Sequence, residues 1–334
     1  MTPRRGAGRE PEHRGVRERH IPVLLSEVLA TLRPQDGETY IDATFGAGGY
    51  ARAILEAADC RLIALDRDPD AVQAGQTLVE EFAPRLTLVN EPFGNLRAIS
   101  GELGLEAVDG IVLDLGVSSL QLDEAERGFS FQSDGPLDMR MSRSGLSAAD
   151  VVNTYEEEEL ADIIYELGDE RRSRSIARAI IAKRAEAPFA RTRELADLVS
   201  RVFRGRKDDG RHPATRTFQA LRIHVNDELG ELERALVAAE HILKPGGRLV
   251  VVTFHSLEDR IAKRFLQARS GKEAHASRHL PQESAPSASP SFRIVNSRPL
   301  TPSKGEVDVN PRARSARLRA GERTGAPAWP APRA

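Results

Sequence analysis

A glycine-rich turn between a short strand and a helix constrains the fold of this chain more than any other feature. The apolar run Tyr40-Ile41 ends in Asp42, the turn follows at 44–50 with the sequence TFGAGGY, and an alanine-rich helical pattern covers 51–58. Glycines let the backbone approach a ligand closely, and the free N–H groups of a first helical turn point towards it. This order of elements predicts a site for a nucleotide-like molecule at the turn.

Two further apolar runs also end in acids. The run 61–65 is followed by Asp66, and the run 110–113 by Asp114. With Asp42, these acids are expected at the carboxyl ends of strands one, two and four, along the crevice where doubly wound sheets bind ligands. A carboxylate at the position of Asp66 can accept both hydroxyls of a ribose, so the pattern predicts an adenosine-type cofactor.

The identity of that cofactor depends on charge. Residues 46–51 fit G-x-G-x-x-A, which with Asp66 gives a dinucleotide fingerprint and keeps an NAD-dependent oxidoreductase open as an alternative. However, Asp42 would repel a pyrophosphate and attract a cation. S-adenosylmethionine has no phosphate and carries an amino group and a sulfonium, so the three strand-end acids favour a methyltransferase.

Composition limits the remaining classes of protein. The 334 residues include a single cysteine, Cys60, and no apolar run of membrane-spanning length. The Arg-rich segment 1–19 lacks a hydrophobic core and is expected to be a disordered extension, not a secretory signal. The eight histidines show no pair at metal-ligand spacing. These features predict a cytoplasmic protein with no membrane segment and no metal.

Charge is segregated along the chain. Residues 145–170 hold nine acids and no Lys or Arg, whereas 171–216 hold fourteen Lys or Arg against five acids. A run of charge is often only a solvated face, but here the basic residues alternate with apolar residues at helical spacing. This stretch, together with Arg312, Arg314, Arg317 and Arg319, is therefore predicted to contact nucleic-acid phosphates.

The order of predicted elements indicates an α/β fold with an insertion. Strands near 39–43, 61–66, 86–90 and 110–115 alternate with helices, which implies a parallel sheet. Residues 128–216 then show helical patterns without strands. A long amphipathic helix near 216–243 precedes a strand at 248–254, and short strand-like pieces follow at 292–296 and 315–319. A mobile loop is predicted at 270–291.

Seven motifs across residues 20–323 resemble one known family, the bacterial 16S rRNA cytosine-N4 methyltransferases called RsmH or MraW. The motifs occur in the family's order as HIPVLL (20–25), TFGAGG (44–49), DLGVSS (114–119), RGFSF with DGPLDMRM (127–131 and 134–141), PATRTFQALR (213–222), FHSLED (254–259) and NPRARS (310–315). Small departures occur at Ala47, Tyr50 and Leu120, where relatives often carry a charged residue, His and Pro.

The resemblance implies a class I (Rossmann-like) S-adenosylmethionine-dependent methyltransferase with an inserted helical domain. The expected division is a methyltransferase domain at 20–127 and 217–320, a helical substrate-recognition domain at 128–216, and disordered ends at 1–19 and 321–334. The implied target is the N4 atom of a cytidine in the decoding (P-site) region of 16S rRNA in the small ribosomal subunit. The implied cofactor-binding residues are Gly46, Ala47, Gly48, Gly49, Tyr50, Asp66, Phe93, Asp114 and Gln121.

Four residues are candidates for catalytic roles: Asp114, Ser118, His255 and Asp138. Many amino-methylating enzymes use an Asp/Asn-Pro-Pro-Tyr/Phe loop after strand four, whereas this chain has DLGVSS there. Asp114 is expected to accept a hydrogen bond from the target amine or to contact only the cofactor. A histidine at a strand end is more often structural, which applies to His255. A non-catalytic RNA-binding factor on the same fold is a third alternative, and the sequence leaves monomer and homodimer open.

Overall fold

The computed structural model describes residues 22–204, 212–271 and 289–330. Its strands are β1 (Thr39–Asp42), β2 (Arg61–Leu65), β3 (Leu86–Val89), β4 (Val108–Asp114), β5 (Leu243–Thr253), β6 (Phe292–Ile294) and β7 (Arg317–Arg323). They form one sheet in the order β3-β2-β1-β4-β5-β7-β6. Strands β1 to β5 are parallel, and β7 runs antiparallel to both β5 and β6. This arrangement confirms the predicted class I fold.

Helices cover both faces of the sheet and build a separate region beside it. In chain order the α-helices of the described residues are α1 (Leu25–Leu32), α2 (Gly49–Ala57), α3 (Pro69–Glu81), α4 (Leu96–Glu102), α5 (Ser119–Asp123), α6 (Ala148–Thr154), α7 (Glu157–Gly168), α8 (Ser173–Arg184), α9 (Thr192–Val202), α10 (Thr215–Asn226), α11 (Glu228–Ile242), α12 (Ser256–Arg269) and α13 (Lys304–Val309).

Alternation along the strands creates two cores. In β4, Val112 packs in a cluster with residues of α1 and α2, whereas its neighbours Ile111 and Leu113 pack in a second cluster with α4, α11 and α12. Successive side chains of a strand point to opposite faces, so one apolar run supplies both cores. The ends of the parallel strands are thereby held rigidly at one edge of the sheet.

The inserted helical region has its own core. A third cluster joins apolar side chains from Phe129 to Leu221. The predicted boundary at residue 216 falls inside α10, whose Phe218 and Leu221 belong to this cluster. We therefore propose that the helical region ends near Asn226, where α10 ends.

The single helix predicted at 216–243 is wrong, because the chain forms two helices there. Asp227 lies between them in the left-handed region with φ 48°. The buried carboxamide of Asn226 accepts from the N–H of Met141 at 2.9 Å and donates to the carbonyl of Met139 at 2.8 Å. These tertiary hydrogen bonds hold the chain in a break that helical periodicity does not reveal.

The prediction of a disordered tail at 321–334 is wrong for 321–330. Strand β7 continues to Arg323, whose guanidinium is buried and donates to the carbonyl of Glu240 at 2.8 Å. The fully buried carboxylate of Glu240 also accepts from the backbone N–H of Trp329 at 3.1 Å. A buried carboxylate needs such donors, which explains why this stretch is ordered.

Several predictions concern segments beyond the described residues. The extension at 1–19, residues 205–211 of the basic stretch, residues 272–288 of the predicted loop and residues 331–334 all lie there. Among the described residues, no helix has both the length and the apolar character needed to cross a bilayer.

Candidate active site

A cavity opens at the carboxyl edge of the sheet, where β1, β2 and β4 end. Of the predicted cofactor residues, those that line it are Gly46, Ala47, Gly49, Tyr50, Asp66, Phe93, Asp114 and Gln121. Gly48 does not line it, because a Cβ there would meet Leu78 and Phe45 at 2.9 Å in the core. The structure therefore brings together residues from four different loops, as the strand-end pattern predicts.

The glycine turn is tied to the end of β2. Gly46, at φ 53°, donates its N–H to Asp66 Oδ2 at 2.7 Å. Gly49 permits the close approach of the segment before α1, since a Cβ at this position would lie 2.3 Å from the Cγ of Pro22. The buried hydroxyl of Tyr50 donates to the carbonyl of Val23 and fixes the same segment.

Two buried carboxylates lie at the floor of this edge without full hydrogen bonding. Asp42 is completely buried at the end of β1, and among the described residues its Oδ2 atom has no hydrogen-bond partner. The same holds for Oδ1 of Asp114, at the end of β4. Orphaned buried oxygens of this kind indicate that a ligand completes their environment.

The acids also repel one another. Burial raises the pKa of Asp42 to about 7, with Asp66 adding to the rise. Burial likewise raises the pKa of Asp66 to about 6. The pKa of Asp114 lies well above its usual range because of burial, and Asp42 and Glu258 raise it further. A cation bound among these groups would relieve the repulsion, so the residues fit the positively charged S-adenosylmethionine.

Ser118 and Gln121 share a helix N-terminus at the rim of the cavity. The Ser118 hydroxyl accepts from the N–H of Gln121 at 3.3 Å, and the Gln121 side chain accepts from the N–H of Ser118 at 3.0 Å, which closes a capping box on α5. Gln121 Nε2 also donates to Asp68 at 2.8 Å. Both residues therefore shape the rim and present their remaining polar capacity to the cavity.

The structure does not bring Asp138 and His255 into the cavity. Asp138 forms an ion pair with Arg140 at 2.7 Å. Burial opposes ionisation of Asp138, but the hydrogen bonds from Arg140 outweigh it and lower the pKa. His255 precedes α12, with its Nε2 atom 3.0 Å from Glu258 Oε1 in a contact that lacks hydrogen-bond geometry. Neither residue lines the cavity, and a catalytic role for either stays a prediction.

His255 belongs to a buried charged cluster behind the cavity. Glu228, His255 and Glu258 are grouped closely enough to hold a metal ion. However, Arg222 donates to both carboxylate oxygens of Glu228 at 2.7 Å, and Glu258 accepts the N–H of Phe254 at 2.7 Å. The cluster is thus explained as an ion-pair network, and the absence of a metal in the reaction stays a prediction.

Two aromatic residues of the RGFSF motif pack inside the helical region. Phe129 is buried in the third core cluster. The ring of Phe131 lies 4.6 Å from the ring of His212 and 4.9 Å from that of Phe218. These contacts anchor the inserted region, so stacking on a target base is not needed to explain either ring.

Sequence analysis missed some residues that line the cavity. Arg67, Met141 and Phe254 line it, as do Asn310 and Arg312 from the region before β7. The NPRARS motif contained a signal for the last two, but only the fold shows that this motif reaches the cofactor site. The sequence predicts that Arg312 contacts phosphates, whereas the structure places it in the lining of the cavity.

A doubly wound sheet of this order, with a glycine turn and three buried acids at the ends of its strands, is typical of a class I methyltransferase that uses S-adenosylmethionine. Comparison with known proteins agrees. The sequence profile of the MraW methylase family matches residues 17–324. The chain belongs to this family. Both the oxidoreductase and the non-catalytic alternative are thereby set aside.

The most similar relatives include proteins named ribosomal RNA small subunit methyltransferase H. The one from Azorhizobium caulinodans is 62% identical over 312 residues, covering 93% of this chain and 89% of its own. The one from Xanthobacter autotrophicus is 59% identical over 330 residues, covering 99% and 94%. Among solved structures, an rRNA methylase from Streptococcus thermophilus shares 11% identity at a TM-score of 0.37, covering 90% of this chain and 92% of its own. A score this low supports no conclusion about function.

Proposed function

We propose that this enzyme transfers a methyl group from S-adenosylmethionine to the exocyclic N4 atom of a cytidine in the decoding (P-site) region of 16S rRNA, in the cytoplasm. The observation that carries the proposal is Asp114, which lines the cavity at the end of β4 and has a buried oxygen without a partner. An exocyclic amine is the kind of donor that such an oxygen accepts. The names of the relatives support ribosomal RNA as the substrate.

The chemical difficulty lies in the nucleophile. The lone pair of N4 is delocalised into the cytosine ring, and an acceptor that binds the amino hydrogens localises it on nitrogen. Asp114 is in position for this role, although its loop reads DLGVSS without the proline pair found in many amino-methylating enzymes. No strong base is required, because the nitrogen loses its proton readily once it is alkylated.

Positioning supplies the rest of the catalysis. When bound, the cofactor supplies a methyl group activated by its sulfonium. Asp66 accepts backbone N–H groups from Gly46 and Asp68 at 2.7 and 2.8 Å, which orients its carboxylate towards the ribose. Phe93, which is half-buried, offers a face for adenine. Holding donor and amine in line lowers the entropic part of the barrier.

The RNA surface is better matched by α12 than by α8. Neighbouring acids lower the net positive charge of the α8 face: Arg174 pairs with Asp162, Arg178 with Glu157 and Lys183 with Glu186. Likewise, Arg317 and Arg319 both bind Asp259. By contrast, α12 carries three exposed cations that have no ion-pair partner among the described residues: Arg260, Lys263 and Arg264. We propose that α12, which begins beside the cavity, contacts the RNA backbone.

A matched pair of charge reversals tests this surface. Lys263→Glu with Arg264→Glu should weaken binding to small ribosomal subunits and reduce its salt dependence, because unpaired cations release counterions from phosphates. Arg174→Glu with Arg178→Glu on α8 should have a smaller effect. If both double variants lost the same affinity for small ribosomal subunits, α12 would not be the preferred surface and the basic stretch predicted from sequence would be retained. The oligomeric state of the enzyme, monomer or homodimer, can be measured on the same samples.

The reaction itself is tested with labelled methyl groups. Small ribosomal subunits from a strain lacking the gene are incubated with the enzyme and labelled S-adenosylmethionine, and the digested RNA is analysed by nucleoside. Label in N4-methylcytidine of the decoding region is expected. Asp114→Ala, which removes the acceptor, should abolish transfer while Asp138→Ala retains it, since only Asp114 lines the cavity. No label, with cofactor still bound, would reject the substrate.

A further inference from the structure

Two cations line the cavity. Among its described lining residues, Arg67 and Arg312 are the only Lys or Arg. Arg67 directly follows Asp66 and donates from Nη1 to the carbonyl of Asn226 at 2.6 Å. It also lines the small neighbouring cavity together with Phe93. Arg67 therefore belongs to the end where the ribose and adenine are expected.

Arg312 comes from the region after α13. It lines the cavity with Asn310, and Pro22, which packs on Gly49, lines the same cavity. This short 3-10 turn, Pro311–Ser315, follows α13. The region is anchored there because Glu306 of α13 accepts the N–H of Leu24 at 2.7 Å. The contact joins α13 to the residue before α1, although the two are remote in sequence.

Arg312 forms an exposed ion pair with Asp123 at the rim of the cavity. Its Nη2 atom lies 2.6 Å from Asp123 Oδ1, and the two side chains are 47% and 65% exposed. An ion pair this exposed contributes little to stability, so exchanging one carboxylate for another is readily possible. The guanidinium is a planar fork of N–H donors, a shape that suits a carboxylate.

The charged groups of S-adenosylmethionine indicate which part of the cofactor Arg312 contacts. With adenine at Phe93 and ribose at Asp66, the amino-acid part of S-adenosylmethionine extends towards Gly49 and Arg312. That part ends in a carboxylate, which the acids at the strand ends would repel. We propose that Arg312 binds the methionine carboxylate of S-adenosylmethionine, as a cofactor-binding residue supplied by the region after α13. The proposal rests on the cofactor and not on the identity of the RNA target.

Cofactor analogues test this role without turnover. Binding of S-adenosylhomocysteine and of its decarboxylated analogue is measured by titration calorimetry, without RNA, for the wild type and for Arg312→Gln. The wild type should prefer the carboxylate by about 10- to 100-fold, the range expected for a hydrogen bond to a charged group. In Arg312→Gln the two ligands should bind almost equally, whereas Arg312→Lys should keep part of the preference.

The matched control is Arg314→Gln, an exposed arginine of the same turn that does not line the cavity. It should keep the full preference. Equal weakening of both ligands by Arg312→Gln, with no change in their ratio, would assign Arg312 a structural role and overturn the proposal. An unchanged affinity for S-adenosylhomocysteine with weaker RNA binding would assign it to phosphates and overturn the proposal as well.

Discussion

Binding of S-adenosylmethionine should release protons from the acids at the sheet edge. In the protein without cofactor, burial raises the pKa of Asp42 to about 7 and that of Asp66 to about 6. The pKa of Asp114 is raised in the same way. A cation bound among these groups favours their ionised forms and lowers each pKa. Affinity must therefore rise as the pH rises through the values of the free protein, and fall as the pH falls.

The size of the effect follows from linkage. If the bound cofactor returns Asp42 to an ordinary pKa of about 4, the protein at pH 5 must first lose a proton held with a pKa of about 7. Only about one molecule in a hundred has lost it, so binding weakens about 100-fold, or about 2.7 kcal/mol. Asp66, from about 6, adds about tenfold. Together the two predict about a 1,000-fold loss of affinity from pH 8 to pH 5.

Calorimetry measures both the affinity and the protons released. Titrations at pH 5 to 8, in buffers with different ionisation enthalpies, give the number of protons lost on binding. Asp42→Asn should remove about 100-fold of the pH dependence, because an amide does not titrate. Asp59→Asn, at a mostly exposed acid before β2, serves as the control and should keep it. An affinity that is flat from pH 5 to 8, or a full slope in Asp42→Asn, would refute the reasoning.

Three further predictions concern stability and packing. Asp42→Asn should raise the melting temperature of the cofactor-free protein at pH 8 and not at pH 4. The pKa of Asp42 is about 7 in the folded protein and lower in the unfolded chain, so the wild type loses stability as the pH rises. The loss reaches about 4 kcal/mol, and an amide at this position avoids it. Gly49→Ala should weaken cofactor binding in calorimetry, because its Cβ would lie 2.3 Å from Pro22. Arg127→Ala should lower the free energy of unfolding in urea by about 3–5 kcal/mol, since it leaves the buried carboxylate of Asp68, 2.8 Å away, without a cationic partner. A loss below about 1 kcal/mol would contradict this.

The cofactor end of the site was predictable because its signals are local. A glycine turn after Asp42, and acids directly after two apolar runs, place side chains at strand ends as soon as the strands are parallel. The structure puts Asp66 and Asp114 at the cavity, and Gly46 of the turn donates its N–H to Asp66. Short-range patterns determine such positions, because the end of a strand fixes where the next residue lies.

The catalytic candidates outside this edge were less predictable. Asp138 lies in a motif as distinctive as the glycine turn, yet it pairs with Arg140 and does not line the cavity. The cations of α8 form a basic pattern, but acids of the preceding helix neutralise part of it: Arg174 and Arg178 pair with Asp162 and Glu157 of α7. A charge pattern specifies which residues are exposed, and only packing specifies whether they are already paired.

The sequence by itself therefore determined the sheet, the glycine turn and the chemistry of the cofactor, because strand periodicity and turn residues act over a few neighbouring positions. Only the tertiary structure decided that α13 contacts Leu24 through Glu306, and that Arg312 and Pro22 line the same cavity. It also decided that Asp227 breaks a helix. These outcomes depend on contacts between residues far apart in the chain, and such contacts leave no periodic pattern in the sequence.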